Sequence, residues 1–154
     1  MSVQIVLGSK SDMKVAEKAI AILKELGVRY KLSIASAHRT PELVDKLVAE
    51  ADAEVFIAIA GLSAALPGAI AARTIKPVIG VPVSGTLNLD AILSVVQMPP
   101  GIPVAGVGLD RGDNAALLAA AIIGLKDAKV EKALKQFRQK LKDNVMHDSK
   151  EVEV

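Results

Sequence analysis

Five short apolar runs rich in β-branched residues, at residues 3–7, 32–35, 55–60, 78–81 and 104–107, constrain this chain more than any other feature. Each is too short for a helix of its own. They read as strands buried on both sides. The segments between them carry helical spacing: Val15, Ala19, Ile20, Leu23 and Leu26 ahead of Gly27; Leu43, Val44, Leu47 and Val48 after Thr40-Pro41; and residues 115–123. Their ends carry matching chemistry. Thr40 is a capping residue with Pro41 at the first helical position and Glu42 in the first turn, and Gly27 suits the left-handed residue past a helix end. Parallel strands require crossover connections, so strand–helix alternation repeated five times predicts a parallel sheet with helices on both faces.

A chain of 154 residues fits one such domain, with no linker, repeat or low-complexity stretch. The expected division is an α/β catalytic domain over residues 1–125 and a C-terminal amphipathic helix and tail over 126–154. On that helix Leu134, Phe137, Leu141 and Val145 form a narrow apolar stripe, to be covered either by its own domain or by a neighbouring subunit. The last four residues, 151–154, read as a frayed tail.

Composition removes several function classes. With no Cys, thiol catalysis, Cys-ligated zinc, iron–sulfur clusters and a disulfide scaffold are excluded. Mean hydropathy is +0.40, yet no run approaches the ~20 apolar residues that span a bilayer, and no basic segment precedes the first apolar run. The expectation is a cytoplasmic protein without a membrane partner. Net charge is +2, while residues 126–142 alone hold seven basic and two acidic side chains, leaving the remainder negative. Such a distribution argues against a nucleic-acid partner.

In an open α/β sheet, ligands bind beyond the carboxyl ends of the strands. After the first strand stands Gly8-Ser9-Lys10-Ser11-Asp12, whose free backbone N–H groups and hydroxyls would cradle one small anion. It matches neither a P-loop nor a dinucleotide fingerprint. Asp12 either caps the following helix or accepts hydrogen bonds from sugar hydroxyls. After the second strand stands Ser36-Ala37-His38-Arg39-Thr40-Pro41. His38 is the one His inside the α/β portion, and Arg39 can grip a phosphate or carboxylate through its planar fork. A cation at a helix N-terminus opposes the macrodipole unless an anion lies between them. After the third strand, Gly61-Leu62-Ser63-Ala64-Ala65-Leu66-Pro67-Gly68 is nearly free of polar side chains, either a dry pocket wall or a tight packing turn. No Asp follows this strand, which disfavours a phospho-receiver, and three aromatic residues, Tyr30, Phe56 and Phe137, offer little to a flavin. The apolar loop at residues 97–103 suits an interface.

Taken in order, these loops resemble those of the N5-carboxyaminoimidazole ribonucleotide mutases and the related aminoimidazole ribonucleotide carboxylases of purine biosynthesis. The likeness runs over residues 3–125. It rests on the Gly8 and Ser36 loops, on Pro77-Val78-Ile79-Gly80-Val81-Pro82-Val83, on residues 94–104 and on Asn114-Ala115-Ala116-Leu117-Leu118-Ala119. The resemblance implies a three-layer α/β/α domain with a parallel flavodoxin-like sheet and an extra C-terminal helix, assembled into a homo-oligomer of eight copies. It implies an isomerase that needs no cofactor and no metal and acts on a small ribonucleotide. Carried over residue by residue, it makes His38 the catalytic acid/base. Ser9, Ser11, Ser36 and Arg39 would hold the 5′-phosphate region and Asp12 the ribose, with Gly8, Gly61, Ser63 and Leu66 completing the substrate site.

One departure stands out. Where the bacterial mutase pattern reads Gly-Gly-Ala-Ala-His-Leu-Pro-Gly, this chain has Ala65 in place of His, as the direct carboxylases also lack that His. The carboxyl donor is therefore either the N5-carbamate or free CO2. Two readings of other classes compete: a noncatalytic nucleotide-binding module, which would not need His38, and a regulatory protein docking through its basic helix.

Overall fold

The computed structural model describes residues 1–152. Its sheet has five strands. They are β1 (Ser2–Leu7), β2 (Arg29–Ile34), β3 (Val55–Ala60), β4 (Val78–Pro82) and β5 (Ala105–Gly106), all parallel in the order β2-β1-β3-β4-β5. Alternate residues of the central strands feed two separate cores. Val3, Ile5, Leu7, Val55, Ile57, Ile59, Ile79 and Val81 face α1 (Met13–Glu25), α5 (Gly112–Gly124) and the start of α6 (Ala128–Val152). Val6, Phe56, Ala58, Ala60 and Val78 face α2 (Pro41–Glu50), α3 (Leu66–Ala71) and α4 (Leu89–Val96). The flavodoxin-like three-layer architecture expected from the sequence is present.

Burial of all five strands does not hold. β1, β3 and β4 are buried, but β2 and β5 lie at the sheet edges, where Leu32 and Ile34 stay exposed and both residues of β5 are exposed. An edge strand lacks a neighbour on one side, so apolarity in a run does not by itself guarantee cover. Helix α4 was not legible: its segment is apolar around most of its circumference, and only Ala91 and Val95 turn inward. The first helix ends as expected. Gly27 has φ +69°, its N–H donates to Lys24 O at 3.1 Å and Val28 N–H donates to Leu23 O at 2.8 Å, the paired bonds of a Schellman ending.

Two close approaches fix the layers. A Cβ added to Gly112 would sit 2.1 Å from Val15 O, so α5 crosses α1 at backbone distance; one added to Gly80 would sit 2.6 Å from Val95 Cγ1, so α4 presses on the sheet there. Helix α6 is tied in over its first half. Val130 is buried, Leu134 and Phe137 pack on the α1–α5 core, and Lys140 reaches Glu25 at 3.2 Å. Beyond that point Leu141 and Val145 are exposed. Glu151 and Val152 belong to the helix, and residues 153–154 of the expected tail lie outside the described part.

Candidate active site

The chain order of the sheet reverses between β1 and β3, and a crevice forms at the carboxyl ends of strands where that happens. A cleft of about 430 Å³ opens there. Its walls are the loops after β1, β2 and β3, and all ten residues singled out from the sequence line it: Gly8, Ser9, Ser11, Asp12, Ser36, His38, Arg39, Gly61, Ser63 and Leu66. Ala37, Ala60, Leu62, Ala64 and Ala65 complete the lining.

The first wall is a turn of 3-10 helix, Lys10–Asp12, ahead of α1. Ser9 caps it. The Ser9 hydroxyl accepts from Ser11 N–H at 3.4 Å, and Asp12 Oδ2 accepts from Ser9 N–H at 2.9 Å, a reciprocal capping box. Ser11 Oγ donates to Asp12 Oδ1 at 3.2 Å. Asp12 stands at the N-cap position of α1 but its side chain makes no capping bond there; it closes the 3-10 turn through Ser9 N–H and lines the cleft, with free acceptor capacity left on a residue that is 6% exposed. Burial pushes its pKa above the usual aspartate value, while the Ser11 hydroxyl, the Ser9 N–H and the Arg39 charge pull it back.

The second wall is the turn at residues 36–40. Arg39 is not a loose surface charge: its Nε donates to Ser36 Oγ at 3.3 Å and its Nη2 donates to Gly8 O at 3.0 Å, stitching the second loop to the first. His38 is exposed at the crest of this turn. Thr40 departs from expectation. It is the N-cap residue by position, and its carbonyl accepts from Leu43 N–H and Val44 N–H, but its hydroxyl makes no capping bond and turns back to Ser36 instead. A Ser or Thr four residues from a backbone pair can choose either partner, and sequence does not say which.

The third wall carries two left-handed non-glycine residues, Leu62 with φ +51° and Ala64 with φ +37°. Left-handed backbone costs an L-residue about 1–2 kcal/mol. Leu62 is 77% exposed at the mouth, whereas Ala64 and Leu66 are buried. The loop is a pocket wall and a tight turn at once. Backbone strain here had no signal in the sequence except Leu62 standing where the mutase pattern has Gly.

A parallel sheet with one polar cradle, one imidazole and one dry loop at its switch point defines the class: a flavodoxin-like α/β domain with its cleft at the carboxyl ends of the strands. The family model described as AIR carboxylase matches residues 2–144, and the chain belongs to that family. An N5-carboxyaminoimidazole ribonucleotide mutase of Methanocaldococcus jannaschii is 58% identical over 149 residues, covering 96% of this chain and 95% of that protein. Its counterpart in Pyrococcus horikoshii is 47% identical over 156 residues, covering 98% and 88%. The crystal structure of Treponema denticola PurE superimposes with a TM-score of 0.91 at 34% identity, covering 99% of this chain and 98% of that one.

Proposed function

We propose that this protein is an N5-carboxyaminoimidazole ribonucleotide mutase, moving the carboxylate from the exocyclic nitrogen to C4 of the imidazole in purine biosynthesis. One observation carries the reading: Ser9, Ser11 and Arg39, the imidazole of His38 and the dry loop at residues 61–66 line a single cleft, in a chain closely similar to mutases over nearly its whole length. The phosphate lies against the Ser9, Ser11, Ser36 and Arg39 groups, and the free acceptor positions of Asp12 take ribose hydroxyls.

His38 donates a proton to the exocyclic nitrogen as its bond to the carboxylate breaks, releasing CO2 and leaving aminoimidazole ribonucleotide. C4 then attacks the retained CO2. The neutral imidazole takes the C4 proton, restoring the aromatic ring and the starting state of His38. One group serves both steps because the imidazole that has given up its proton becomes the base that takes the next one. Holding CO2 requires keeping water out, the task of Leu62, Ala64, Ala65 and Leu66.

Ala65 supports a second reading, direct carboxylation of aminoimidazole ribonucleotide by free CO2, since the imidazole of the bacterial mutase pattern is missing there. The test is to supply each substrate under controlled dissolved CO2 and follow 4-carboxy-5-aminoimidazole ribonucleotide. A mutase consumes the carbamate far faster at comparable saturation, because its CO2 is delivered already beside C4. Faster use of free CO2 would assign the carboxylase, and no turnover of either would leave a binding module.

The protein acts in the cytoplasm as a homo-oligomer larger than a dimer, of eight copies by family likeness. Leu87, Leu89, Leu93 and Val96 around α4 and Leu141 and Val145 on α6 are exposed apolar side chains that a lone subunit leaves uncovered. Sedimentation of the same preparation showing only a 16.1 kDa species would overturn this.

A further inference from the structure

His38 is less supported than the charged groups of the cleft, Asp12 and Arg39. Its ring makes no hydrogen bond among the described residues, and it stands exposed on the turn at residues 37–39. Its neighbours are anchored. Asp12 is held by Ser9 and Ser11, and Arg39 by Ser36 and by Gly8 O. The place of the imidazole is therefore set by the backbone that carries it. That backbone is closed at one point: Thr40 N–H donates to Ser36 O at 2.9 Å, Thr40 Oγ1 accepts from Ser36 N–H at 2.9 Å and donates to Ser36 O at 3.3 Å.

We infer that Thr40 is a positioning residue for His38, its hydroxyl spent on clamping both backbone groups of Ser36 rather than on capping α2. The inference rests on the acid/base role proposed for His38. The hydroxyl is the side-chain group that holds the Ser36 backbone from the far end of the turn, whereas on Ser36 Arg39 reaches only the hydroxyl. Helix α2 does not need it, since Pro41 has no N–H and the Thr40 carbonyl already accepts the first helical bonds. Without the hydroxyl the Ser36 backbone keeps one of its three bonds to Thr40, the other ties of the turn being those from Arg39 to Ser36 Oγ, and a less firmly carried imidazole samples positions off the reacting atoms. A displacement near 1 Å at such a group is enough for about a hundredfold in rate. Arg39 keeps its second anchor at Gly8 O, so ground-state grip on the ribonucleotide changes less than turnover.

Thr40→Val tests this, because valine keeps the branched shape and the extended backbone that precedes a proline while deleting the hydroxyl. Thr40→Ala serves the same purpose if the valine variant folds poorly, and Thr40→Ser restores the hydroxyl. The expected result is kcat lowered roughly ten- to a hundredfold by Val or Ala with KM changed less than about threefold, and recovery by Ser. The second readout needs no turnover. The chain has two His residues, and His147 sits on α6 beside Glu151, so the His38 ring proton signal in an NMR spectrum should shift or broaden in Val and Ala while His147 stays fixed. A valine variant with kcat within twofold of the parent and an unmoved His38 signal overturns the inference. If the parent turns over neither substrate, the proposed function fails, and the His38 signal alone still decides whether Thr40 positions the ring.

Discussion

Two walls of one cleft are built by opposite means. The polar wall, residues 8–12 and 36–40, is a lattice of hydrogen bonds in which Asp12, Ser36 and Arg39 each serve a neighbouring backbone group before any ligand arrives. The dry wall, residues 61–66, is held by packing of Ala64 and Leu66 and by a backbone bond from Ala64 N–H to Gly61 O, with Leu62 and Ala64 forced into left-handed conformations. The polar wall is preorganised by partners that a substitution can remove one at a time. The dry wall is preorganised by shape, and its strain is carried by buried neighbours.

This difference predicts unequal responses. His38→Asn should fold normally and lose roughly 10²–10⁴ in rate, the range for removal of a general acid/base; steady-state kinetics beside a melting curve would check this, and retained activity would take the imidazole out of the reaction. Arg39→Lys keeps the charge but cannot reach Ser36 Oγ, Gly8 O and a phosphate together. Affinity for the ribonucleotide should fall on the order of tenfold, corresponding to loss of one charge-assisted hydrogen bond. Titration calorimetry showing unchanged affinity would move the phosphate off this wall. Leu62→Gly is the smallest and has the opposite sign in stability. Relief of left-handed strain outweighs the glycine entropy cost by something under ~1 kcal/mol, raising Tm by about 1–3 °C. Turnover should drop modestly as the mouth opens to water. A lower Tm would mean that the exposed leucine contributes packing which its 77% exposure does not suggest.

The sequence by itself determined the layers and the address of the site. Apolar runs, helical segments between them and the Gly27 ending were all readable because burial and backbone conformation act through residue type and local spacing. The ten cleft residues were readable for a related reason, since loops after parallel strands converge at one edge whatever their side chains do. Only the tertiary structure decided which apolar runs were covered. Leu32 and Ile34 look like core in the sequence and lie on an edge strand, and α4 hides only Ala91 and Val95 from solvent. It also decided the partners of short polar side chains. Thr40 could have capped α2 or clamped Ser36, and Asp12 could have capped α1 or faced the cleft; in the fold Thr40 clamps, and Asp12 lines the cleft and takes the Ser9 N–H without capping α1. Such choices depend on distances of 2.9–3.3 Å between groups three or four residues apart on a turn, and residue type alone does not say which of two nearby partners a short polar side chain takes.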